Sequence, residues 1–291
     1  MAIAFPLLLV GMLGASEWLV RTRVVPHDST AAHIERLLSP TTPNAIFGDS
    51  HTLRLVGMPG FVNLSRGGES VRTMEAKVRR YYATMAPGDV VLHADPNQFA
   101  PGYPNDDGNG PPAPFEPSSP ALHVLSPDYR GFIADYWRRF LTGQGFEPSL
   151  TLHPDGAITD PAVWPDAYPS PEQRRRIAET SVAAQTPIED IASSPSGVAY
   201  ARLMGFLVGR GGNVCLVVMP HSSEYLALEQ AHPTFAEAHA YVVEVADEYD
   251  LTLVDLTSAF ADQSLFADED HLNERGGRMA GAIVEERCFG A

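Results

Sequence analysis

Asn44–Thr52 reads NAIFGDSHT: a short apolar step, then Gly-Asp-Ser, then a histidine. An apolar run of strand length ending in a turn signal is how a buried strand of a parallel sheet begins a βα unit. The pattern recurs outward from it. GFVNL (Gly60–Leu64) is followed by SRGGES and a helical stretch near Val71–Met85, and GDVVLHA (Gly88–Ala94) is a third strand. A helical stretch near Gly197–Gly209 leads into NVCLVVM (Asn213–Met219), and PTFAEAHAYVVEVADEY (Pro233–Tyr249) has amphipathic spacing. LTLVDL (Leu251–Leu256) is the last strand, with a terminal helix over Glu274–Arg287. Strands alternating with helices predict an α/β protein: a three-layer α/β/α sandwich on a mostly parallel sheet of about five strands, flavodoxin-like in plan.

The bulk numbers narrow the function. The 291 residues are 44% hydrophobic and 19% charged, as in a folded globular protein. With 36 acidic against 20 basic residues the net charge is −16, which argues against nucleic acid, whose binding rests on phosphate neutralisation by Lys and Arg. Two cysteines are too few for a disulfide scaffold or a four-cysteine zinc site. Cys215, inside the apolar run NVCLVVMP, reads as a buried structural thiol. A bridge to Cys288 stays open, because sequence does not set their separation in space.

Residues 1–22 form an apolar segment read as an anchor or a signal. Its apolar run of about 13 to 18 residues falls short of the roughly 20 that span a bilayer. A buried first helix is the plainer alternative. No basic residue precedes the run while Arg21 and Arg23 follow it. Taken literally, the positive-inside rule then keeps the domain cytoplasmic, whereas a signal or anchor places it outside the cytoplasm, in the periplasm of a Gram-negative bacterium. Residues 23–291 are expected to form one domain with an insertion at about 98–170. Pro101–Pro120 within it holds seven Pro and three Gly in twenty residues and excludes regular structure. Phe132, Ile133, Tyr136, Trp137 and Phe140 follow at helical spacing, as a stripe that packs on its own domain or contacts a partner.

A serine nucleophile needs a neutral imidazole to take its proton, and that imidazole needs a carboxylate to hold its tautomer. LFADEDHLNERGG supplies Asp268 and His271 two residues apart, and Ser50 supplies the hydroxyl. Each fragment alone is commonplace. Together and in order, FGDSHT, NLSRGGES, HADPNQF and DEDHLN resemble the four sequence blocks of the SGNH/GDSL hydrolase superfamily, over roughly residues 44–278. The resemblance implies Ser50 as nucleophile, His271 as base and Asp268 as its orienting carboxylate. It implies an oxyanion hole from the backbone N–H of Ser50 and Gly68, with Gly67 as the alternative register, and the side-chain amide of Asn97.

The third block reads DPNQ where the family has Gly-x-Asn-Asp, and His51 stands where secreted lipases commonly have Leu. The stretches GDSHT and F-x-D-x-x-H-L-N-x-x-G (Phe266–Gly276) are similar instead to the membrane-anchored branch that acylates cell-surface polymers, the alginate O-acetylation factors and the D-alanyl transfer protein of teichoic acids. The expected chemistry is O-acyl transfer to, or ester hydrolysis on, an extracytoplasmic glycan. The partners would be an acylated glycan or small ester and a membrane acyl-donor protein. A secreted carboxylesterase or lipase and a non-catalytic glycan-binding subunit are the rivals.

His51 and His221 are candidates to line the pocket, with packing as the plainer role for His51. Asp49 is expected to stabilise the turn, and the Asp270 side chain to point away from His271. No cofactor is expected. No metal is expected either, since no H-x-x-x-H or H-E-x-x-H spacing occurs, and His93 with Asp95 on one strand end makes only two ligands.

Overall fold

The strands with the most continuous apolar sequence form the centre of the sheet, because helices cover both faces there. In a computed structural model, residues 36–101 and 150–290 are described continuously, with scattered positions between 11 and 33 and at 138 and 141–143. Five strands, β1 (Ala45–Phe47), β2 (Val62–Asn63), β3 (Asp89–His93), β6 (Asn213–Val218) and β7 (Thr252–Asp255), line up in the order β2-β1-β3-β6-β7. Every neighbouring pair is parallel, with Phe47 opposite Leu92, His93 opposite Val217 and Val218 opposite Asp255. A short antiparallel hairpin, β4 (Thr151–Leu152) and β5 (Ile158–Thr159), stands apart from it.

The period-two alternation of a strand divides the core. Ala45, Phe47, Leu92, Leu216 and Val218 face one side, where they meet helices α1 (Val71–Tyr81), α3 (Pro195–Gly209) and α5 (Pro233–Glu248). Ile46, Val91, Cys215 and Val217 face the other, against Trp164, Phe266 and the terminal helix α6 (Glu274–Phe289). The result is the expected three-layer sandwich. Helices start on side-chain caps: the Ser70 hydroxyl accepts from Thr73 N–H, Ser194 from Gly197 and Asn273 from Gly276. Two further helices, α2 (Pro171–Gln185) and α4 (Ser223–Gln230), pack together through Ala178, Val182 and Tyr225. Their apolar stripes are too sparse to have been read from periodicity.

The later part of the insertion is built into the fold. Trp164 is fully buried in the second core and its backbone N–H donates to the Phe266 carbonyl at 2.8 Å. Asn63 N–H at the sheet edge donates to the Asp155 carbonyl at 2.7 Å. The Pro-rich segment beyond residue 101, the aromatic stripe and most of the apolar N-terminal segment lie outside the described residues. Among the described residues no helix is long and apolar enough to cross a membrane.

The reading of Cys215 as a free thiol is corrected: it is bridged to Cys288, with the Cα atoms 5.7 Å apart. Cys215 points from β6 onto the face that α6 covers, so a cysteine near the end of that helix reaches it. Closing a 73-residue separation removes about 4 kcal/mol of unfolded-state chain entropy. Cys288→Ala is therefore expected to lower the melting temperature by roughly 8 to 16 °C, at about 2 to 4 °C per kcal/mol for a domain this size. Thermal unfolding followed by circular dichroism, with and without reductant, measures it; reductant should shift the wild type and leave the variant unmoved.

Candidate active site

In an open parallel sheet the loops at the carboxyl ends of the strands converge where the strand order reverses, here between β1 and β3. Ser50 lies just past β1, Gly67 and Gly68 past β2, Asn97 past β3 and His221 past β6, while Asp268 and His271 precede α6.

The first loop turns tightly because residue 48 is glycine. A Cβ there would lie 2.4 Å from the Cβ of His93 and 2.3 Å from the Thr52 hydroxyl. Asp49 makes the expected turn contact, accepting from His51 N–H at 2.9 Å. Arg66 N–H donates to the Gly48 carbonyl at 2.9 Å, and the Thr52 and Ser65 hydroxyls are 2.9 Å apart, so the first two loops are joined. Glu69 anchors the second loop to α1 through a buried ion pair with Lys77, whose ammonium also donates to the Leu64 carbonyl. Burial raises the Glu69 carboxyl and lowers the Lys77 ammonium, each opposed by the other's charge.

Ser50 is half-buried. A Cβ built on Gly67 would lie 3.8 Å from the Ser50 Cβ, whereas one on Gly68 would have no heavy atom within 4 Å. Gly68 is needed for its backbone, at φ +65°. Arg66 and Gly67 also line a small cleft of about 40 Å³ with Leu53, Ser65 and Ile158.

The His271 ring packs on the His51 ring with centroids 4.9 Å apart. Its Nδ1 is 2.9 Å from Asp268 Oδ1 and 2.8 Å from Asp270 Oδ1. The expectation that Asp270 points away is corrected. Asp268 Oδ1 accepts the backbone N–H groups of both Asp270 and His271, and that turn swings the Asp270 carboxylate back onto the imidazole. The side-chain amide of Gln185 on α2 donates from Nε2 to the other Asp270 oxygen at 2.7 Å. Burial alone would lower the His271 pKa, but the fields of Asp270 and Asp268 outweigh it and push it up to about 9. Among the described residues His271 Nε2 has no hydrogen-bond partner and is buried, so the Ser50 hydroxyl does not bond to it in this structure. Such bonds often close only in the substrate complex.

Beneath these loops lies a buried polar cluster. His51 and His221 are 1% and 2% exposed, inside the cluster rather than on an open wall. Asp95 Oδ2 is 2.6 Å from His51 Nδ1, 2.8 Å from His93 Nε2 and 3.9 Å from His221 Nε2. Burial opposes ionisation of Asp95, yet the imidazoles of His93 and His51 hold its carboxyl far below the usual range. Asn97 is fully buried, its amide nitrogen 3.4 Å from His51 Nδ1, so the side chain proposed for an oxyanion sits behind the serine loop. Asp95 and Asp270 were missed as parts of the site. The available signal was Asp95 occupying the position of the family's glycine in the third block.

No family profile matches the chain, and no curated protein matches it. Among solved structures it is similar to a lipase/acylhydrolase from Enterococcus faecalis, at 12% identity and TM-score 0.41, over 83% of this chain and 92% of that one. It is also similar to an acetylxylan esterase from Geobacillus stearothermophilus, at 11% identity and TM-score 0.44, over 84% and 93%. An α/β hydrolase from the metagenome of Lake Arreo, Spain, matches at 14% identity and TM-score 0.36, over 85% and 94%.

Proposed function

We propose that the protein is a serine-dependent esterase or O-acyltransferase acting on the O-acyl groups of an extracytoplasmic glycan, of the kind handled by the membrane-anchored polysaccharide-acylating enzymes. The observation that carries this reading is the His271 imidazole: two carboxylates hold Nδ1, Nε2 is buried without a partner, and the ring lies against the residue that follows Ser50. The Cys215–Cys288 disulfide supports an oxidising compartment.

In this mechanism Ser50 Oγ attacks the ester carbonyl carbon as its proton passes to His271 Nε2. The tetrahedral oxyanion is stabilised by backbone N–H groups of Ser50 and the Gly67–Gly68 turn; one such donor is worth about 3 to 4 kcal/mol. Collapse breaks the carbonyl–sugar oxygen bond, and His271 returns the proton to that oxygen. Water then releases the acyl group as acid, or a second sugar hydroxyl accepts it. Asp268 and Asp270 hold the imidazole in the tautomer this requires.

A fluorophosphonate probe should label the wild type and leave Ser50→Ala unlabelled, with ester hydrolysis reduced at least about 10³-fold in the variant. A folded wild type that neither labels nor hydrolyses any acetyl ester would overturn the assignment. Mass-spectrometric tracking of isotopically labelled acetyl between two oligosaccharides separates transfer from hydrolysis. The base must be neutral to act, so kcat/KM should rise as pH increases through about 9. Asp268→Asn removes a negative charge that favours the imidazolium. It should shift that limb to lower pH while lowering the plateau by roughly 10² to 10⁴-fold.

A further inference from the structure

We propose that Asp49, His51, His93, Asp95 and His221 form a binding site for one divalent first-row transition ion of the zinc class, buried under the serine loop. The five come from the ends of three neighbouring strands: Asp49 and His51 after β1, His93 and Asp95 at the end of β3, and His221 after β6. All are at most 2% exposed. Beyond the three contacts of Asp95 Oδ2, Asp49 Oδ1 lies 3.5 Å from His93 Nε2 and 4.0 Å from His51 Nδ1. Ligand atoms about 2.0 to 2.2 Å from one zinc ion are spaced about 3 to 3.5 Å apart. The observed spacings, from 2.6 to 4.0 Å, bracket that range, so adjustments of a few tenths of an ångström seat the ion.

The nitrogens point to a ligand other than each other. Among the described residues neither His93 Nε2 nor His221 Nε2, both buried, has a hydrogen-bond partner, although His93 Nε2 is only 2.8 Å from an Asp95 oxygen. That contact lacks hydrogen-bond alignment. His221 Nδ1 is 3.0 Å from Glu229 Oε2, which retains a proton on Nδ1 and leaves the Nε2 lone pair facing the cluster. A carboxylate behind a histidine is the usual arrangement behind a metal-bound imidazole. Asp95 is held in the same manner, since Met219 N–H donates to Oδ1 at 2.5 Å and Oδ2 is left for the ion. Three neutral imidazoles and two carboxylates carry charge −2, which a dication neutralises. Imidazole nitrogens with carboxylate oxygens favour zinc and its first-row neighbours over magnesium or calcium.

The site reaches the proposed base by one route. With Nδ1 of His51 on the ion, its Nε2 lies 3.5 Å from Asp270 Oδ2, and Asp270 Oδ1 lies 2.8 Å from His271 Nδ1. The ion thereby positions the serine loop and the His271 loop against each other without touching substrate. The site stands whether or not Ser50 is a nucleophile.

The test is the full-length protein, purified without a polyhistidine tag, stripped with a chelator and titrated with Zn²⁺ and with Co²⁺. Expected results are one ion per chain by elemental analysis, a Co²⁺ ligand-field spectrum of a nitrogen/oxygen site, and a higher melting temperature with Zn²⁺. His93→Ala and Asp95→Ala should bind none. Glu229→Gln, remote from the ion and less able to disturb folding, should bind about 10 to 100-fold more weakly. Circular dichroism establishes that each variant is folded. A folded wild type that binds neither ion, or Glu229→Gln and His93→Ala both binding as tightly as wild type, would overturn the proposal. The cluster would then be an ion-free network of imidazolium and carboxylate groups.

Discussion

A carboxylate buried at the end of the central strand governs the functional end of this molecule. Asp95 is wholly excluded from solvent, takes a hydrogen bond from the Met219 backbone, and sets its other oxygen among His51, His93 and His221. An ionised group in such a place is tolerated only if positive charge or strong donors surround it. Three neighbouring strands therefore end in residues that answer one charge. The loops following β1, β3 and β6 are fastened to each other before any substrate arrives.

That fastening gives the loops at this edge of the sheet a rigid base. Gly48 lets the first loop pass against His93 where no side chain would fit, and Lys77 ties the second loop to α1 through Glu69. On the far side the Asp268 turn gathers two backbone N–H groups and delivers two carboxylates to one imidazole. Two acids on one histidine make a strongly basic ring. His51 joins the halves, touching Asp95 with one nitrogen and approaching Asp270 with the other.

Much of the fold was legible because its strands are short apolar runs and its covered helices have clear apolar stripes. Val71–Tyr81 begins at a serine cap, and Glu274–Phe289 follows an asparagine cap. Helices α2 and α4 were not legible, since few of their residues are buried. The disulfide depended on two elements, 73 residues apart, meeting across one sheet face. The hairpin and Trp164 were hidden inside a stretch whose composition reads as insertion.

The sequence by itself determined the five sheet strands and four of the helices around them, an excess of acidic over basic residues, and a set of polar blocks placed after strands, because these follow from local patterning and composition. Only the tertiary structure decided which of those blocks meet. It set Gly67 beside the serine, turned Asp270 onto His271, and drew Asp49, His51, His93, Asp95 and His221 into one buried cluster. A parallel sheet sends the carboxyl end of every strand to the same edge. Residues from position 49 to position 271 thus become neighbours through strand order, which no local spacing encodes.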